Sequence, residues 1–309
     1  MRSLHPIALA ALLAIAGDLY ADNSAQLEQT GNDNNATVDQ TGAFNESDVT
    51  QNGMANDALI YQGDVAESNQ AGIEQLGDGN SASIYQALDS YFSTASVYQQ
   101  GNGNRAEVEQ TWRANQLQIS SIGNDNYVSA TQTGFVNAEA SQIGNGNSLT
   151  FEQNGSFRGS SLTVYQVGDE NLANIAQDDG NNLQLTQAGT LNVAQISQIG
   201  YFNELDFNQS GDGNLLTVEQ SGRGQRIQGS SAGSDNSVDI AQSYEGNEAS
   251  VLQNGTANIA SIRQVAEYSQ ANITQLGSAN QAFIMQSAAG MNAIIQQSGS
   301  GNMATINQQ

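Results

Sequence analysis

Glutamine returns every eleven residues along nearly the whole chain. Gln29, Gln40, Gln51 and Gln62 are evenly spaced, and the series continues through Gln75, Gln86, Gln99 and Gln110 to Gln286, Gln297 and Gln308. Ser121 and Ser231 fill the two vacant slots, giving about 26 units that slip by two residues longer or one shorter at five joints. A repeat this short and this numerous predicts a stacked architecture in which each unit contacts only its neighbours.

Each unit follows one grammar. Asn stands six residues before the Gln, as at Asn34, Asn104 and Asn192; Ala or Leu stands four before, as at Ala36 and Leu183. A β-branched residue stands two before (Val38, Ile196), and Gly often stands two after (Gly31, Gly200). Residues two apart point to the same face of a strand, so Asn, Ala, Ile and Gln share one inward face. The Gly supplies a positive-φ turn. Period-two alternation, frequent Gly and β-branched inner residues all argue against a helix. Each 11-mer is therefore read as one strand of five to seven residues and a turn. Two strands on facing sheets make a rung of 22, and the whole is an all-β parallel β-solenoid of about 13 rungs.

Only two small and two larger apolar side chains per rung would face the interior. That is too little to hold 22 residues of ordered backbone by burial alone. Stacking makes up the difference, because identical Asn and Gln amides above one another can hydrogen-bond as ladders. A lone rung should not fold, and many should fold together.

Composition agrees. Hydrophobic residues are 38% of the 309, and Asn plus Gln come close to a quarter. No Cys is present, so no disulfide can staple the chain, and the only His (His5) and Pro (Pro6) lie near the start. Arg2 followed by the apolar run from Ile7 to Ala16 reads as a secretory signal. Residues 1–21 are taken as that signal, cut after Ala21 or alternatively after Ala16, and residues 22–309 as the repeat region. The run is shorter than the roughly 20 residues that span a bilayer, so no membrane insertion is expected. A formal net charge of −24 argues against nucleic acid and anionic membranes as partners.

Units such as Asn34-x-Ala36-x-Val38-x-Gln40-x-Gly42-x-x-Asn45 and Asn192-x-Ala194-x-Ile196-x-Gln198-x-Gly200-x-x-Asn203 resemble the curlin repeat, from which the subunits of bacterial curli fibres are built. The resemblance extends from about Asn23 to Gln308. It implies a secreted protein that self-assembles into extracellular amyloid fibres for adhesion and biofilm matrix. The implied partners are further copies of itself, a nucleator subunit and outer-membrane export machinery. Because the family nucleates through its terminal repeats, the resemblance points to Gln29 and Gln40 at one end and Asn302 and Gln308 at the other. The chain departs from the family in entering its repeats at once, with Ala25, Leu27 and Gln29 already in register.

Other chemistry fits less well. Turns such as Gly77-Asp78-Gly79-Asn80 carry one Asp each at the wrong repeat length for a calcium β-roll, and read as turn chemistry. Asp178 and Asp179 form an acid pair, but the repeat region offers no His or Lys to complete a catalytic set. No cofactor, metal or enzymatic activity is expected. Tyr61, Tyr85, Tyr98 and Tyr165 fall on the solvent face, and Arg223–Arg226 lies beside a degraded unit in which Gly229 and Ser231 replace the usual aliphatic and Gln. Outward acids should slow assembly by repulsion between stacked like charges. The rival functional class is a monomeric secreted solenoid acting as a binding module, of adhesin or ice-binding type.

Overall fold

The computed structural model describes residues 13–14, 22–63 and 66–309, and every regular element among them is a β-strand. The signal expected at residues 1–21 lies outside the described residues except for Leu13–Ala14, a two-residue strand parallel to Val38–Asp39. The chain divides into two compact units, residues 1–135 and 136–309. Both are parallel β-solenoids with two facing sheets.

In the first unit, sheet I stacks Ser24–Asn32, Glu46–Met54, Gln70–Leu76, Thr94–Asn102 and Gln116–Asn124. Sheet II stacks Asn35–Gln40, Asp57–Gln62, Ser81–Tyr91, Arg105–Arg113 and Tyr127–Thr133. In the second unit, sheet I runs from Val136–Asn145 through Ser160–Asp169, Asn182–Thr190, Glu204–Asp212, Arg226–Ser234, Glu248–Thr256 and Gln270–Ser278 to Asn292–Ser300. Its sheet II runs from Ser148–Asn154 through Leu172–Gln177, Val193–Tyr201, Leu215–Arg223, Ser237–Glu245, Ile259–Gln264 and Gln281–Gln286 to Met303–Gln308. Five rungs and eight rungs make the expected thirteen.

Alternation fixes which side chains go inside. In Glu204–Asp212, Leu205, Phe207 and Gln209 are buried while Glu204 and Asn208 face out. Register then places like on like: Leu183 lies beside Leu205, Gln187 beside Gln209 and Gly189 beside Gly211. A slip of one residue would turn the whole inward set to solvent, so the pattern locks the register.

Most strands are longer than the expected five to seven residues, with nine typical of sheet I. The column glycine is the reason. It does turn the chain with positive φ, but it also remains paired to the rung above. A Cβ on Gly189 would stand 2.1 Å from the carbonyl oxygen of Gly211. Glycine is thus required for close approach of successive backbones as well as for its φ of 119°.

All five slips in the repeat fall at one corner, where the chain returns from sheet II to sheet I. We call this the second corner, and the sheet I to sheet II turn the first. Three of them add two residues and two remove one, and the inward columns stay in register; the added residues lie in the turns. In the first unit they form a short third side, where Glu67 bridges to Ala43 and Tyr91. The degraded unit is also accommodated: the ring of Phe207 occupies the space beside Gly229, where a Cβ would come within 2.5 Å of it.

Candidate assembly interface

Inward Gln side chains form continuous ladders. In the second unit Gln153, Gln177, Gln198, Gln220, Gln242, Gln264, Gln286 and Gln308 each donate Nε2 to the Oε1 of the next, at 2.8–3.1 Å. The same Nε2 donates again to a backbone carbonyl of the facing strand, as from Gln220 to Glu204 at 3.2 Å. That second bond fixes the amide's orientation, so every Gln ladder points from earlier rungs to later ones. In the first unit Gln40, Gln62, Gln86, Gln110 and Gln132 run the same way.

The Asn ladders run oppositely. Asn214 donates both its backbone N–H and Nδ2 to Oδ1 of Asn192, at 3.1 and 2.9 Å, and Asn236 does the same to Asn214. The remaining Nδ2 hydrogen of Asn214 reaches the carbonyl of Gly233. These buried amides are satisfied on nearly every side, which is what makes a polar interior tolerable.

The two strand types are unequal. At the first corner an Asn occupies every rung from Asn34 to Asn302, and each sheet II strand keeps its Gln. At the second corner Ser93, Val136, Ser160, Gln225, Ser269 and Met291 replace Asn, and sheet I substitutes Ser121 and Ser231 for Gln. The breaks leave marks. Asn115 Oδ1 and Gln225 Oε1 are buried without a hydrogen-bond partner among the described residues. Gln225 is one methylene longer than Asn; its N–H still reaches Asn203 Oδ1 at 3.1 Å, but its own oxygen accepts no bond from the next rung. Gln225→Asn should therefore stabilise the protein by about 1 kcal/mol, read as a raised midpoint in denaturant; an unchanged or lowered midpoint would count against this account.

The four residues singled out in sequence fall at opposite ends of the ladders. Gln29 donates to Gln51 at 2.7 Å, and Gln40 donates to Gln62, Ser47 and the Ser24 carbonyl. Asn302 donates to Asn280 Oδ1, and Gln308 accepts from Gln286. The strands of Gln29 and Gln308 are at most half-buried on the inward side, whereas that of Gln40 is buried there like an interior strand. Sequence reasoning did not single out Gln297, the last Gln of sheet I, which accepts from Gln275 at 2.9 Å; tracing alternate units separately would have found it.

The other candidates make local contacts. Asp179 accepts from the backbone N–H groups of Ser156 and Arg158 at 3.1 and 3.0 Å. Burial opposes its charge, yet these bonds outweigh that and hold its carboxyl below the usual carboxylate range. Tyr61 and Tyr85 stack at 4.6 Å on the outer face of sheet II. No three of His, Cys, Asp and Glu converge as metal ligands among the described residues. No helix among them is long and apolar enough to cross a membrane.

The family model that matches is the curlin associated repeat, over residues 21–53, 31–63 and 233–265. Those stretches are curlin repeats. The first two matches include Gln29 and Gln40, and units between the matched stretches stack with the same columns of Gln and Gly. No curated protein matches the sequence.

Proposed function

We propose that the chain is a secreted structural subunit that self-assembles end to end into curli-like extracellular amyloid fibres for adhesion and biofilm matrix. Ladder polarity carries the reading. The last rung offers Gln297 and Gln308 Nε2 donors and the Asn302 Oδ1 acceptor, and the first rung offers Gln29 and Gln40 oxygens and the Asn34 N–H. Asn292–Ser300 of one copy stacks on Ser24–Asn32 of the next, with Gln297 on Gln29 and Gly299 on Gly31; Gln308 likewise falls on Gln40. Head-to-head stacking would set oxygen against oxygen. Removal of the signal would also take away Leu13–Ala14 and open the Asn35–Gln40 edge that it lines. A nucleator subunit and outer-membrane export machinery are the partners this function calls for.

Purified mature protein should form seedable fibres with cross-β diffraction, after a lag that shortens from about pH 7 to about pH 4 as carboxylates are neutralised. Ile306→Lys, placing a charge on the last strand, should slow growth by more than about tenfold and leave the folded chain intact. Lasting monodispersity of the unmutated protein would overturn the reading and favour a secreted binding module.

A further inference from the structure

The two corners of the curlin solenoid are chemically different. In the second unit the first corner has no aromatic residue and no Arg, and carries Asp169, Glu170, Asp212 and Asp235. The second corner carries as many carboxylates, Asp178, Asp179, Glu245 and Glu267, but adds Arg158, Tyr201, Phe202, Arg223, Tyr244 and Tyr268. Phe202, Tyr244 and Tyr268 adopt left-handed φ values of 63°, 75° and 55°, a conformation that suits Gly, Asn or Asp and is costly for an aromatic residue. They remain 50–60% exposed, so no burial within the chain repays the strain. At the first corner of this unit Leu191 is the one large apolar residue strained in this way, whereas here three aromatic rings are, and that concentration points to use.

The side chains are also pre-set. The Arg158 guanidinium reaches past the Gly180 rung to lie 4.4 Å from the Tyr201 ring and 5.2 Å from Phe202. A Cβ on Gly180 would sit 3.3 Å from Arg158, so the glycine opens that path. Arg223 lies 5.9 Å from both rings and 3.9 Å from Glu245. Along six successive turns the order is Arg158, Asp178–Asp179, Tyr201–Phe202, Arg223, Tyr244–Glu245, Glu267–Tyr268.

That order is self-complementary under a two-fold rotation. With the axis between the Phe202 and Arg223 turns, Phe202 of one copy faces Arg223 of the other, and the turn that bears Arg158 faces the turn that bears Glu267, within reach of the guanidinium when it swings off the Tyr201 ring. Tyr244 brings its hydroxyl to the Asp178–Asp179 turn, and the Glu245 carboxylate beside it is offset by Arg223 of its own copy, 3.9 Å away. We propose that this corner is a lateral interface, where a second copy of the chain docks antiparallel, edge to edge. The rest of the unit's surface repels a copy: its two faces carry seven carboxylates against Arg226 and Arg263, and its first corner carries no positive charge. An edge contact is small and weak for one pair of chains, but it sums along two neighbouring fibres. The first unit sets Phe44, Phe92, Trp112 and Phe135 along the same corner of its own rungs.

A charge swap tests this. Arg158 and Glu267 stand five turns apart in one chain, about 24 Å at the rung spacing, so they cannot compensate each other within it. R158E and E267R alone should each lower the fraction of laterally paired fibres in electron micrographs by roughly fivefold or more. The double variant should restore pairing. Replacing Phe202, Tyr244 and Tyr268 together by Asn, which accepts the left-handed backbone, should abolish pairing without lowering thermal stability. Replacing Val167, Leu191 and Leu276, exposed apolar residues of the first corner, should leave it unchanged. Failure of the double variant to restore pairing would overturn the proposal. So would pairing that survives the aromatic triple variant, as it would if this edge served a foreign ligand. Fibre length reports end-to-end growth and fibre width reports pairing; if no fibres form, sedimentation of the concentrated chain and its charge-swap variants decides.

Discussion

Gly189→Ala destabilises the second unit by more than about 3 kcal/mol, whereas Gly224→Ala costs about 1 kcal/mol. Both glycines have positive φ, 119° and 66°. A Cβ at Gly224 meets nothing within 4 Å, so only the left-handed backbone is penalised. A Cβ at Gly189 lands 2.1 Å from the Gly211 carbonyl oxygen, and backbone cannot rotate aside as a side chain can. Asn182–Thr190 and Glu204–Asp212 must part there, opening the ladder that joins Gln187 to Gln209 at 2.9 Å. Denaturant unfolding ranks the two variants, and amide hydrogen exchange locates the damage. Equal losses would mean that the glycine column serves only to turn the chain.

Gln198→Leu keeps much of the volume and removes the amide. Gln177 Nε2 then loses its acceptor at 2.9 Å and Gln220 Oε1 its donor at 2.8 Å, both in the dry interior. Two buried groups left unpaired cost about 3 kcal/mol together. Gln198→Glu adds a sign that can be checked. The protonated acid can donate to Gln220 as the amide did, whereas the carboxylate sets negative oxygen against oxygen in a buried site. The folded protein therefore raises that acid's pKa, so the variant keeps its stability below the unfolded value and loses it as pH rises through the raised one. A Leu variant as stable as its parent, or a Glu variant indifferent to pH, would show that the ladder contributes little.

Much of this was legible because a strand's side-chain period is two and the unit is eleven residues. Those numbers alone place Asn192, Ala194, Ile196 and Gln198 on one inward face, and they set the rung at two strands. Asn and Gln at inward positions, with no Cys to staple them, required a ladder. The four terminal residues followed from family resemblance, and the geometry adds Gln297 beside them.

Polarity and asymmetry were not legible. Which way an amide points depends on the carbonyl that receives its second hydrogen, as Glu204 does for Gln220, and that carbonyl belongs to the facing strand. A one-dimensional repeat also cannot tell its two corners apart, because successive units look alike until they are assigned to alternate sheets. Only then do Arg158, Phe202, Arg223 and Tyr268, spread over a hundred residues, fall on one edge. The sequence by itself determined the strand, its inward face and the rung; the tertiary structure alone decided ladder direction and which residues share an edge. Local periodicity dictates the former, whereas the latter depend on contacts between strands roughly 22 residues apart.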